Sequence, residues 1–595
     1  MEIRVLGDIL TQLERDHPRS DLFRYKSAGS WHDISTEDFF STVRSLALGL
    51  ETLGVVKGER VAILSENRPE WTAFDHALLS LGAVVVPIYA SLLTEQVRFI
   101  LENSEARAVV VSGAAQLGKL RPALPSLPAL AQILILDAGE TPPGDAVSWT
   151  AVLAAGEAAH RAEPERFEAR RAAIRPEDPA SILYTSGTTG EPKGVVLTHG
   201  NFAFNVNATL KLIPFSSDDV TLSFLPLTHV FERMVEFAYL SAGASIAYAE
   251  SIEAVPQNMA EVRPTVVSSV PRFFEKAHDR IVSNVRSLPW PRRLLAGLLL
   301  REARRRARAL LEKHPVPPLA RLLHPLADRR IFAPIREKMG GRIRFFVSGG
   351  APLAPRIAEF FYAAGIPILE GYGLTETSPV VAVNTLEKIR LGTVGPVIPG
   401  VEVRIAEDGE ILVRGPNVMQ GYFRNEAATR EAMKDGWFHT GDIGVIDPDG
   451  FLRITDRKKE VLKTSGGKMV APQPLENLLK SDRAISQAVV LGDRRKFVSA
   501  LIVPDFDWLA SFARAKQIST RSLDELLRDP RVLDLYRARI RAKMAGLPSY
   551  ETVKKFRLLP RELSQEAGEL TPTLKVKRRV IEQKYADLIE SIYKE

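Results

Sequence analysis

The sequence predicts an α/β protein in two parts. A large N-terminal domain, residues 1–458, is built on doubly wound sheets, and a small α+β domain, residues 459–595, follows. Three observations carry this reading. At 595 residues the chain exceeds what one hydrophobic core organises. Val61–Leu64, Val84–Val86, Val109–Val111 and Ile133–Leu136 are short and continuously apolar, as strands buried on both faces by flanking helices are. After Lys459 the pattern changes to shorter strands, at Val489–Leu491 and Leu501–Val503, mixed with amphipathic helices from Trp508 onward.

Composition sets limits. Apolar residues make up 45% and charged residues 25%, the proportions of a soluble globular protein. The absence of cysteine excludes disulfides and thiolate metal sites, so a thioester product would need an external thiol. The first residues lack the apolar stretch of a secretory signal, and no run approaches the ~20 apolar residues that span a bilayer. A cytoplasmic protein is expected. The net charge of +7 is modest for the length, so any basic partner site must come from local clustering. No repeat of fixed period is visible. Residues 154–178, rich in Ala, Glu and Arg, read as a solvated connector.

The stretch Ser181–Gly200 is the most informative. An apolar run, Ser181–Tyr184, breaks into Thr185, Ser186, Gly187, Thr188, Thr189 and Gly190, and Lys193 precedes a second apolar run, Val195–Leu197. Glycines let backbone N–H groups close on phosphate oxygens, hydroxyls add donors or a metal ligand, and a lysine supplies a point charge. No Gly-Lys-Ser/Thr ends the loop, so it is not the common P-loop. By composition alone, a surface turn fits equally well. The spelling Tyr-Thr-Ser-Gly-Thr-Thr-Gly-x-Pro-Lys-Gly-Val, however, resembles the phosphate loop of the adenylate-forming superfamily, which includes acyl-CoA synthetases, luciferases and peptide-synthetase adenylation domains.

The next words extend that resemblance. Leu225–Arg233, "LPLTHVFER", looks like the segment bordering the carboxylate pocket in long-chain acyl-CoA synthetases, which makes His229 a pocket residue; a structural histidine fits the residues equally well. Glu232 and Arg233 read as an ion pair. Residues 284–340 look least like the superfamily. Seven arginines face one acid, Glu302, between Arg292 and Arg308, with leucines at helical spacing and Trp290 between two prolines. That pattern suits either an anionic membrane surface, through 286–330, or a solvated helix packed on the main domain. Peripheral attachment to the inner membrane face is one expectation. Nucleic acid is not, because few aromatics interleave with the arginines.

A strand at Ile343–Val347 ends in Ser348, Gly349, Gly350 and Ala351, and a ligand crevice at the carboxyl ends of parallel strands is the usual place in open α/β sheets. Gly371-Tyr372-Gly373, with Thr375 and Glu376 after it, places a ring that stacks on a purine beside a hard oxygen ligand for Mg2+. Asp442 and Arg457 are suited to ribose hydroxyls. All of these resemble the family's adenine, magnesium and ribose motifs. Near the C-terminus, "ELTPTLKVKRR" resembles the segment holding the family's catalytic lysine. Leu574 stands where glycine is commonest, which leaves Lys575 and Lys577 both open; Lys575 is preferred.

The resemblance covers nearly the whole chain and implies a long-chain fatty acid–CoA ligase using ATP, Mg2+ and coenzyme A. Its catalytic residues would be Lys575, Glu376 and His229, and its Mg2+ ligands Glu376 and Thr188. The small domain would pivot at Lys459 to present the basic loop Lys463–Lys468. A ligase for aryl or medium-chain acids, one loading an acyl carrier protein, and a non-catalytic membrane-associated scaffold are the alternatives.

Overall fold

The computed structural model describes residues 2–137, 144, 146–185, 192–458, 460–518, 520–565, 567–571 and 576–594. The first sheet has the expected apolar runs at its centre. Strands Pro179–Thr185, Val84–Ile88, Arg60–Leu64, Ala108–Val111, Gln132–Ile135 and Val147–Ser148 lie side by side in that order, all parallel. Val61–Leu64 and Val84–Val86 are buried throughout, as β-branched runs sealed on both faces should be. Lys193–Thr198 folds back antiparallel on Pro179–Thr185, so Thr185 and Lys193 stand opposite each other at the open end of the pair.

The second body of sheet is assembled from two four-stranded pieces. Val266–Ser269, Phe345–Ser348 and Ile368–Gly373 run parallel, with Val380–Val383 antiparallel at the edge. The Thr265 N–H donates to the Val220 carbonyl (2.8 Å), which joins this piece to Val220–Ser223, Ser245–Tyr248 and Phe23–Ser27. A third, antiparallel sheet runs from Glu402 to Arg457. Within it Trp437–Ile446 and Leu452–Arg457 form a hairpin that places Asp442 directly across from Arg457. Asp447 Oδ1 closes the turn between them by accepting the N–H groups of Asp449 and Phe451.

From Leu462 onward two further hydrophobic clusters draw only on C-terminal residues, around the strands Ile485–Leu491, Ser499–Pro504 and Lys555–Leu558. The separate α+β core read from the sequence is thus present.

Three expectations are corrected or refined. Residues 154–178, read as a solvated connector, are largely helical: Trp149–Ala162 and Arg166–Ala172 are helices. The first packs so closely on Thr36–Thr52 that a Cβ at Gly156 would fall 1.7 Å from the Ser45 carbonyl oxygen. Alanine and glycine there permit close helix contact, which composition alone disguised as polarity. Glu232 and Arg233 do not pair. Glu232 accepts the hydroxyls of Ser223 and Ser268, while Arg233 is bound to Asp75 and Ser181 among the rings of Trp71, Phe202 and Phe237. The basic loop read at Lys463–Lys468 is refined rather than overturned: residues 464–468 are the turn of a β-hairpin, Leu462–Lys463 against Met469–Val470.

Candidate active site

The carboxyl ends of the parallel strands supply the walls. Gly349 follows Phe345–Ser348, and a Cβ there would press 3.3 Å from the Phe231 ring. Gly350 next to it has φ +82°, a left-handed conformation natural only to glycine. At Gly373 a Cβ would lie 1.8 Å from the Pro379 carbonyl oxygen, so packing of the chain on itself forbids any side chain. Gly371 differs. A Cβ there would meet Val383 and Ala382 at 3.5 and 3.6 Å, ordinary contact, so the protein's own packing does not demand glycine. Ala351 is exposed beside them, and Thr375 opens the short turn Thr375–Thr377 after the strand.

The polar groups converge as a linked set. The Tyr372 hydroxyl donates to Asp442 Oδ2 (2.7 Å), and Arg457 Nε sits 2.9 Å from the other carboxylate oxygen. Asp442 is buried, so these partners rather than water satisfy its oxygens. Arg457 is held above its usual pKa, first by Asp442 and further by Glu460, Tyr372 and Glu376. Burial and the adjacent Asp442 raise the Tyr372 hydroxyl well above its usual range, so it remains a donor. The Tyr422 hydroxyl donates to Glu376 Oε1 (2.9 Å), and Lys193 Nζ lies 4.9 Å from the Tyr422 ring centre. Sequence reading missed Tyr422, which couples the lysine beyond the phosphate loop to the acid beyond the adenine motif. No local motif marks it: Gly421–Tyr422 comes to Val195 and Val196 only by strand pairing in the fold.

Glu376 is partly exposed at the crevice. Among the described residues no group of three or more histidines or acids gathers into a ready-made metal cage. A lone carboxylate with open oxygen fits Mg2+ arriving with phosphates, because that ion keeps waters and takes one or two protein carboxylates. His229 caps the helix Val230–Ser241, its Nδ1 accepting the Phe231 N–H (3.2 Å), and so stands at the same strand ends as Gly349. Glu370, buried one residue before Gly371, is pushed up by burial to about 8.

Ser186, Gly187, Thr188, Thr189, Gly190, Lys459 and Lys575 lie outside the described residues. Lys463 is exposed on its hairpin, with its N–H donating to Asp493 Oδ1 (3.1 Å).

This chain matches the AMP-binding enzyme family over residues 12–423 and the AMP-binding enzyme C-terminal domain over residues 459–595. The long-chain-fatty-acid–CoA ligase FadD15 of Mycobacterium bovis is 40% identical over 98% of this chain and 95% of its own length. Long-chain-fatty-acid–CoA ligase 1 of Homo sapiens is 33% identical, over 90% of this chain and 78% of its own. Among solved structures, the anthranilate CoA ligase AuaEII in complex with anthranoyl-AMP superposes with a TM-score of 0.75 at 20% identity, covering 99% of both chains. ATP-bound MatB from Rhodopseudomonas palustris does so at 0.68 and 23%, over 98% of this chain and 99% of its own. These two share the fold.

Proposed function

The chain belongs to the AMP-binding enzyme family, and from that membership we infer that it is a long-chain fatty acid–CoA ligase. A fatty carboxylate attacks the α-phosphorus of ATP, releasing pyrophosphate and leaving an acyl-adenylate; the thiol of coenzyme A then attacks the acyl carbon and releases AMP. The observation that carries this reading is the near full-length likeness to ligases of that activity, joined to a single polar set from Lys193 to Arg457 at the carboxyl ends of parallel strands.

The residues then take roles that follow from their chemistry. A carboxylate and a triphosphate repel each other, so catalysis is mostly charge neutralisation and alignment. Thr185, Lys193 and the intervening loop hold the β- and γ-phosphates. Tyr372 offers a ring to the adenine, with Gly349, Gly350, Ala351, Gly371 and Gly373 giving the flat base close approach. Asp442 accepts the ribose hydroxyls, and Arg457 holds that carboxylate oriented. His229 borders the acyl carboxylate. Glu376 and Thr188 would hold Mg2+, which when bound neutralises phosphate charge. Lys575 bridges carboxylate and α-phosphate in the first half-reaction, and the 459–595 domain turns about Lys459 to open the path for the thiol and present the Lys463 hairpin.

For delivery of the substrate we place residues 286–330 against an anionic membrane surface. The helices Trp290–Leu311 and Pro318–Ala327 support this. Trp290, Leu294 and Leu322 are 67%, 62% and 75% exposed, with Arg292 and Arg293 exposed between Trp290 and Leu294. Among the described residues no helix is long and apolar enough to cross a membrane. The deciding experiment measures pyrophosphate release over acids of rising chain length, with and without coenzyme A. Turnover that favours long chains and depends on coenzyme A supports the reading; turnover with aryl or short acids alone overturns it.

A further inference from the structure

Tyr422 touches two opposite charges of the crevice, and none of the roles above employs it. Lys193 Nζ sits over its ring, 4.9 Å from the centre, and Glu376 Oε1 accepts its hydroxyl at 2.9 Å. An ammonium over a π face and a carboxylate on a phenol are both favourable contacts. Among the described residues no ion pair joins Lys193 to Glu376; both charges meet the one ring instead.

The backbone fixes that ring from both sides. Gly421–Tyr422 pairs antiparallel with the strand Lys193–Thr198, Tyr422 opposite Val195, and the Phe423 N–H donates to the Gly194 carbonyl (2.7 Å). On the other side the Met419 N–H donates to the Glu376 carbonyl (2.9 Å). The Tyr422 N–H donates to Thr429 Oγ1 (2.9 Å), and a Cβ at Gly421 would fall 2.9 Å from Thr429 Cγ2, so the chain is held close there. Lys193 opens one strand, Glu376 sits in the turn Thr375–Thr377, and the segment carrying Tyr422 is hydrogen-bonded to both.

A ring that served packing alone would need no hydroxyl. Opposite charges on flexible stems attract more strongly in a crevice than on an open surface, because less water screens them. If Lys193 and Glu376 closed on each other, phosphates and metal would have to break that pair before binding. A flat, uncharged side chain prevents the closure. Its π face holds the ammonium by a contact that phosphate can displace, and its hydroxyl keeps the carboxylate in place. We propose that Tyr422 is a positioning residue of the nucleotide site, a spacer that leaves Lys193 to phosphate and Glu376 to Mg2+ by preventing the two from pairing. This inference rests on the phosphate role of Lys193 and the metal role of Glu376 given above.

Tyr422→Leu removes the spacer, whereas Tyr422→Phe keeps the ring and loses the hydroxyl. Binding of MgATP is titrated calorimetrically without fatty acid, so that no adenylate forms. The dissociation constant should rise at least about fivefold in Tyr422→Leu and stay within about twofold in Tyr422→Phe. In turnover by Tyr422→Leu the KM for ATP should rise while kcat and the KM for the acid hold, because the unwanted pair burdens only the empty enzyme. In the Glu376→Gln background that pair cannot form, so Tyr422→Leu should there weaken MgATP binding less than about twofold. Unchanged binding in Tyr422→Leu, equal weakening in both Tyr422 variants, a fall of kcat in place of the KM rise, or the full loss persisting in Glu376→Gln overturns the proposal. Lys193→Met and Glu376→Gln alone test the reading beneath it. If neither alters MgATP binding, the phosphate and metal roles fail; if both weaken it while Tyr422→Leu binds as wild type, only the spacer fails. Should Tyr422→Leu not fold, Tyr422→Met is judged by the same titrations.

Discussion

The nucleotide crevice and the helical pair at residues 290–327 spend the same residue type in opposite ways. In the crevice Arg457 is committed: its Nε meets Asp442, which also accepts Tyr372. On the helix Trp290–Leu311, Arg292 and Arg293 stand exposed at its start, while Arg301, Arg305 and Arg308, at least 60% exposed themselves, reach back to the buried acids Glu302 and Glu359. A paired, desolvated cation fixes geometry, and losing its partner is expensive because the remaining charge stays buried. An exposed cation contributes a field that salt screens within about 8 Å at physiological ionic strength. Catalytic geometry is therefore expected to depend on the first region, and attachment to a charged surface on the second.

The sharpest break of that contrast is Asp442→Ala. It strands Arg457 and Tyr372 together and removes the acceptor for ribose. We expect kcat/KM for ATP to fall by about a hundredfold or more, in the range of lost buried charge-assisted bonds. A variant within threefold of wild type would show that the crevice is not organised around this carboxylate.

Next in size is the double neutralisation Arg292→Gln with Arg293→Gln. Polybasic attraction amounts to ~1 kcal/mol per charge near an anionic leaflet, so binding to phosphatidylserine-containing vesicles should weaken about thirtyfold. Turnover of detergent-dispersed substrate should not change. Arg304 is unsuited to this test, since it is partly buried against the Phe360 ring at 5.9 Å. Equal vesicle binding by both proteins would remove the membrane role from the pair.

A third variant probes why the crevice is lined with glycine. Gly371→Ala adds a methyl that the protein accommodates at 3.5 Å, so the melting temperature should hold while the KM for ATP rises about tenfold. Gly373→Ala is the control, because its Cβ collides with the Pro379 carbonyl and should cost folding itself. If Gly371→Ala loses stability rather than ATP affinity, the empty space there belongs to the fold and not to a ligand.

The sequence made the crevice far more legible than its surroundings. Tyr372, Glu376, Asp442 and Arg457 were visible because each sits in a short word whose chemistry is local: a ring between glycines, an acid in a turn, a carboxylate and a guanidinium near a hairpin. Tyr422 was not visible, since its importance comes from lying between Lys193 and Glu376, which are 183 residues apart in the chain. Asp75 and Arg233 were missed for the same reason: a buried pair 158 residues apart leaves no mark in either neighbourhood. Leucine spacing on 290–311 gave the helix correctly but not its faces. Leu299 and the alanines 296, 303 and 307 turn inward, as does Glu302, which meets Arg301 and Arg305, while Leu294 and Leu295 turn out.

The smallest effect lies behind the crevice, on the helix Val230–Ser241 that His229 caps. Glu236 is fully buried and pushed up to about 8, chiefly by burial, with Glu232 and Asp75 adding repulsion and the Thr72 and Tyr248 hydroxyls partly offsetting it. Its unfolded value is near 4.5. Between those two values the folded chain binds a proton that the unfolded chain releases, so stability is fully present below about 4.5 and is lost as pH climbs toward 8. Glu236→Gln cannot titrate. Its melting temperature should therefore gain on the wild type by roughly 2 °C between pH 5 and pH 8, after any constant offset from the substitution is subtracted. Glu232, itself raised to about 7 by burial, is present in both proteins. Parallel melting curves across that interval would mean that the buried acid is ionised in the native protein, stabilised by partners other than those now seen around it. The helix that His229 caps would then carry a buried charge between Thr72 and Tyr248, and the electrostatics behind the crevice would have to be redrawn from that charge outward.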